Sequence, residues 1–114
     1  MGTMQTREGW HVHSLSVYSG APCYSISMPF EKGRHTILVE QDVEGFWVAR
    51  DACDRGEPKG TLSAALCSYI DESSHANRGM VGHCGWMIET GLPSLRRSLD
   101  EIVPELMDLH GQRG

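Results

Sequence analysis

Six histidines and four cysteines give this chain its widest chemical repertoire. His11 and His13 stand two apart in Trp10-His11-Val12-His13, a spacing that puts both imidazoles on one face of a strand, where zinc takes nitrogen ligands. His35, His83 or Cys84 would be needed to complete such a site. One reading of the chain is therefore a small metal- or thiol-dependent enzyme using His11, His13, His83 and Cys84. No ligand spacing of a recognised type accompanies these residues, however, and no cofactor is expected. His83 and Cys84 suggest a base beside a thiol, but adjacent residues on a strand point to opposite faces and cannot pair. Further catalytic signatures are missing: there is no Gly-x-Ser-x-Gly elbow and no glycine-rich phosphate loop between a strand and a helix. Cys23, Cys53, Cys67 and Cys84 lie far apart without a Cys-x-x-Cys pair and read as free thiols.

Charge gives a second line of argument. Residues 35–74 carry eight acidic and three basic side chains, so the net charge of −5 is generated there. An acidic chain lacks the basic patch that binding to phosphates requires, so no direct nucleic-acid contact is expected. A basic protein partner suits it better, because complementary fields speed encounter and reject wrong partners. The acids of this stretch that stand in strands, turns and loops are Glu40, Asp42, Glu44, Asp51, Asp54 and Glu57, with Phe46 or Trp47 as an aromatic anchor. No run approaches the ~18 apolar residues of a membrane span. No signal peptide opens the chain. The expectation is a cytoplasmic protein.

The elements that position these residues follow from periodicity. At 114 residues the chain suits one domain, with residues 1–9 as a disordered or expression-derived tail and 10–110 as the folded unit. Trp10–Tyr18 reads as a strand whose apolar phase slips, predicting a bulge near His13-Ser14. Cys23–Met28 alternates cleanly and Pro29 ends it. Thr36–Gln41 alternates again. Asp42-Val43-Glu44-Gly45 supplies a turn, and Phe46-Trp47-Val48-Ala49 returns as the partner strand. After a polar loop, 51–60, Thr61 caps a helix whose Leu62, Ala65, Leu66, Tyr69 and Ile70 share one face. Glycine-punctuated 79–86 reads as a loop running into an edge strand over Cys84–Ile88. Leu95, Leu99, Ile102, Val103, Leu106 and Leu109 mark a last helix. Pro104, which costs about 3 kcal/mol in a helix interior, should kink or restart it. The fold class is α+β: an antiparallel sheet of four to five strands with two helices packed on it.

The central unit resembles the N-terminal domain of HicB-type antitoxins. The resemblance lies in Ile37–Glu40, Asp42, the Glu44-Gly45 turn, Phe46-Trp47-Val48 and the helix opening Gly60-Thr61-Leu62-Ser63-Ala64-Ala65-Leu66, about a third of the chain. It implies a small sheet with one helix laid on it and a role in neutralising a basic ribonuclease. Three functions remain open at this point. The first is an acidic inhibitor or adaptor that masks a basic partner such as a nuclease. The others are the enzyme built on the histidines and Cys84, and a homodimeric module joined through an exposed sheet edge.

Overall fold

The computed structural model describes residues 3–15, 22–30 and 33–112. Five strands, β1 (Thr3–Gln5), β2 (His11–Leu15), β3 (Cys23–Phe30), β4 (Gly33–Gln41) and β5 (Trp47–Arg50), form one antiparallel meander in chain order. Helix α1 (Leu62–Ala76), a short turn α2 (His83–Trp86) and a long helix α3 (Leu92–Gly111) follow. The α+β expectation holds. Val12, Ile26, Ile37, Val39 and Ala49 alternate out of the strands onto one face, where α1 and α3 supply Leu66, Tyr69, Ile70, Leu95, Ile102 and Leu106. The opposite face carries His11, His13, Ser25, Ser27, Thr36 and Leu38.

The β4–β5 turn and α1 form where the sequence puts them. Asp42 N–H donates to the Phe46 carbonyl at 2.9 Å, and Gly45 adopts the left-handed region at φ 94°. Thr61 Oγ1 accepts from Ala64 N–H at 3.2 Å and starts α1, whose five periodic apolar residues are all buried together with Ser73.

Five expectations are corrected. Pro29 does not end β3, which runs on to Phe30 with Pro29 opposite Arg34. Residues 3–9 are part of the fold: β1 pairs with β2, Arg7 reaches Asp100 and Glu101, and Glu8 forms a two-bond ion pair with Arg97 at 2.8 Å. Trp10 explains the docking, because it is fully buried and its indole N–H donates to Ser94 Oγ on α3 at 3.0 Å. The bulge near His13-Ser14 is absent, since β2 keeps regular register from His11↔Ser27 to Leu15↔Cys23. Residues 16–18 of that expected strand, and the turns at Gly20-Ala21 and Glu31-Lys32, lie outside the described residues.

The edge strand over Cys84–Ile88 is instead α2 followed by a π-helical turn, Met87–Gly91, that leads directly into α3. Gly91 is the reason the chain can wind there: a Cβ at this position would stand 2.7 Å from the Trp86 ring. Finally, α3 begins at Leu92 with Pro93 in its first turn and runs on through Pro104. Pro104 is exposed, so the carbonyl left without its N–H partner lies on the solvent side of the helix.

Candidate functional site

Two regions collect the residues with functional potential, at opposite ends of β4. The first is the β4–β5 tip. Asp42 Oδ1 accepts the N–H groups of Glu44 and Phe46, both at 2.9 Å, which fixes the turn with its own side chain. That leaves Val43 fully exposed and Phe46 42% exposed, flanked by Asp42 and Glu44.

The second region lies under the 51–60 loop. His35 is in phase with Ile37 and Val39, so β4 turns its imidazole toward the helices rather than outward. Tyr69 reaches it from α1, Asp51 from the end of β5, and His83 from α2. The Tyr69 hydroxyl donates to Asp51 Oδ2 at 2.6 Å. Having spent its one proton there, the phenol oxygen receives the N–H of His35 Nε2 at 3.0 Å. His35 Nδ1 is then a lone pair and accepts from His83 Nε2–H at 3.0 Å. Every proton in this relay points toward Asp51, and among the described residues nothing donates to His83 Nδ1. Burial lowers the His35 pKa below the ordinary histidine value, against the opposing pull of Asp51, which keeps that ring neutral. Burial, reinforced by the Asp51 carboxylate, raises Tyr69 and holds it as a donor.

The loop that carries Asp51 is pinned at several points. Asp51 Oδ1 accepts from Cys53 N–H at 2.8 Å and Asp54 N–H at 2.7 Å. Asp54 Oδ2 accepts from Ser73 Oγ at 3.1 Å and Asn77 Nδ2 at 2.9 Å, tying the loop to the end of α1. Lys59 and Trp47 exchange two backbone bonds, so the loop also runs back along β5. Gly56 permits the close crossing over α1, since a Cβ there would meet Tyr69 N at 2.6 Å. On the other side, the Phe30 and Trp86 rings pack against His83, with centroids 4.6 and 5.6 Å away. Between loop and α2 opens a cleft of about 270 Å³, lined among others by His35, Asp54, Asn77, His83, Cys84 and Met87.

The residues expected to form one acidic surface are therefore divided. Asp42, Glu44 and Phe46 stand together at the tip. Glu40 pairs with Arg50 at 3.0 Å, and Glu57 with Lys59 at 3.5 Å. Trp47 is corrected from surface anchor to core residue, 4% exposed, because β5 turns it inward beside Tyr24. Asp51 is likewise inward, bound to Tyr69, and Asp54 is half-buried against α1. Nor does the fold assemble His11, His13, His83 and Cys84: the first two stack on the open face of the sheet, centroids 6.3 Å apart, while the others lie on the helical side. Among the described residues, no group of three or more His, Cys, Asp or Glu is placed to hold a metal ion. Nor is any helix long and apolar enough to cross a membrane.

Searches with this chain against protein-family models, curated proteins and solved structures returned no match. The functional reading rests on the two regions themselves. As site residues, Tyr69 and Asn77 are absent from the sequence expectations, and His35 enters them only as a candidate zinc ligand beside His11 and His13. The signal for His35 was its phase with Ile37 and Val39, which placed an ionisable ring on the core face of a strand.

Proposed function

We propose that the chain is a non-enzymatic, acidic binding module that inhibits or masks a basic protein partner, such as a nuclease or another nucleic-acid-binding protein. The observation that carries this reading is the β4–β5 tip. A turn locked by Asp42 presents Val43 and Phe46 outward with carboxylates beside them. An apolar anchor within an acidic rim is the arrangement by which a small surface desolvates a hot spot while its charge raises the on-rate for a cationic partner. The resemblance of 35–74 to HicB-type antitoxins supports the same reading, and it is the partner class of that family that suggests a nuclease. Occlusion of the partner's basic surface would be the mechanism, with Asp42 and Glu44 steering encounter.

The edge-joined homodimer has less to work with. The outer side of β5 is partly taken by the 51–60 loop, and β1 offers three residues.

The test is a retention experiment from native-host lysate with the chain and its Val43→Ser/Phe46→Ser variant side by side, at low and high salt. One basic protein held by the parent at low salt, released at high salt and lost from the variant supports the reading. Equal retention by both chains removes the tip from it.

A further inference from the structure

We propose that the cleft between the 51–60 loop and α2 is a binding site for a small organic cation with a donor-rich head, of the amidinium, guanidinium or ammonium class. Asn77 is 7% exposed and its amide orientation is fixed, because Nδ2 donates to Asp54 Oδ2, to the Ser73 carbonyl and to Ser73 Oγ at 2.8–3.1 Å. Its Oδ1 then faces no donor among the described residues. Asp54 spends Oδ2 on Ser73 and Asn77, and among the described residues nothing donates to its Oδ1. The proton order of the relay makes His83 Nδ1 a third acceptor. Three acceptors thus belong to residues that line one cleft of about 270 Å³.

Cationic competition is weak there. Arg34 also lines the cleft, but its guanidinium donates twice to Ser27 Oγ, at 3.0 and 3.2 Å, on the other face of the sheet. No lysine lines it. Met87 and Ala52 supply apolar wall for the body of such a ligand. A planar fork of N–H donors meets a carboxylate and an amide oxygen with charge-assisted bonds, which are shorter and stronger than neutral ones. An anion would meet the Asp54 carboxylate and, among the described residues, no cation but Arg34, whose guanidinium is already engaged by Ser27. The site is independent of the tip, since six residue steps of β4 separate His35 from Gln41, roughly 20 Å at 3.3 Å per residue.

The test is a two-dimensional NMR titration of the ¹⁵N-labelled full chain at pH 7 with benzamidine, with butanoate as the control of opposite charge. A saturable shift of the Asn77 side-chain amide and the Cys53 and Asp54 backbone amides, absent with butanoate, is the expected result. Asp54→Asn should weaken the benzamidine response at least tenfold. Because Asp54 also ties the loop to α1, Ala52→Trp provides a second variant: Ala52 is exposed, lines the cleft and takes no part in the Asp54 bonds, so a bulky side chain there competes for the space the ligand would occupy. It should abolish the response.

Agmatine and Nα-acetyl-arginine methylamide separate the sources of the head group. Preference for agmatine points to a free small molecule, and preference for the capped arginine to a side chain offered by a protein. No saturable shift with any of these cations, an equal response to butanoate, or undiminished binding by Ala52→Trp overturns the proposal. A chain that binds benzamidine but retains no partner through its tip leaves the cleft standing and removes the inhibitor reading.

Discussion

The β4–β5 tip and the His83–His35–Tyr69–Asp51 relay stand at the two ends of one strand and are built by opposite means. The tip is local: Asp42 closes its own turn within four residues, and nothing outside the hairpin is needed to present Val43 and Phe46. The relay is distributed, drawing on β4, the end of β5, α1 and α2, and it exists only when all four have docked. Local construction frees a surface to change its side chains with little cost to folding. Distributed construction makes every member a stability residue, and the perturbations that separate the two regions follow from that difference.

The largest effect belongs to the crossing of the loop over α1. Gly56→Ala places a methyl 2.6 Å from Tyr69 N and 2.9 Å from Tyr69 Cα, both backbone atoms that cannot swing aside. Either the loop lifts, dragging Asp51 from Tyr69, or α1 moves. A loss of about 3 kcal/mol in chemical denaturation is expected, at the upper end of overpacking costs. A loss under about 0.5 kcal/mol would mean that the loop is not held down as described.

Tyr69→Phe comes next. It removes the hydroxyl that stands between Asp51 and His35, and strands an acceptor and a donor on the inside of the loop. The expected cost is about 2 kcal/mol, the penalty for a buried polar pair left without its bridge. Phe46→Ser at the tip should leave stability within about 0.5 kcal/mol of the parent. If the two variants cost the same, the contrast between local and distributed construction fails.

Acid should sharpen the comparison within the distributed half of the molecule. His35 has its pKa lowered by burial from 6.5, so the unfolded chain binds the proton more readily than the folded one. The stability that comes from neutral His35 is complete above 6.5 and drains away as pH falls below it toward the depressed folded value. The slope contributed by one such proton is at most about 1.4 kcal/mol per pH unit. Glu8 acts in a lower window. Its hydrogen bond to Arg97 takes its pKa from 4.5 to about 2, so that contribution is lost between those values. Denaturation midpoints followed from pH 7 to pH 3 should therefore begin to fall near 6.5 in the parent. In His35→Gln that decline below 6.5 should be lost, leaving the later fall through Glu8. An unchanged profile in the variant would assign the first decline to other groups.

Legibility in the sequence divides along the same line. The hairpin and α1 could be read because their determinants are near neighbours: period-two alternation in 36–41, Gly45 in its turn, Thr61 at its cap. The acidic surface was read from composition, and composition cannot say which carboxylates turn inward. Asp51 and Asp54 follow a strand and stand in a loop, as surface acids do, yet Gly56 lets that loop lie flat on α1 and point them at Tyr69, Ser73 and Asn77. Residues 83–91 carry glycines at 85 and 91 that argue against a helix by propensity. Packing of Trp86 over Gly91 and against Phe30 and His83 overrides that preference, and so places His83 beside His35. Contacts such as Trp10 to Ser94 and Arg7 to Glu101 span most of the chain, beyond what any local pattern records.

The smallest effect on folding should come from neutralising the tip. Asp42→Asn keeps a carbonyl oxygen at the position that accepts from Glu44 and Phe46, so the turn survives. Glu44→Gln removes a charge that makes no ion pair among the described residues. The double variant should unfold within about 0.5 kcal/mol of the parent, because exposed charges away from partners contribute little. Its consequence belongs to encounter: with a basic partner identified, the association rate should drop roughly tenfold at low salt while dissociation changes little. The dependence of that rate on ionic strength should flatten, since screening has less field left to act on. A rate and salt slope equal to the parent's would show that the acids of the tip are there for solubility alone, leaving Val43 and Phe46 to carry recognition through burial.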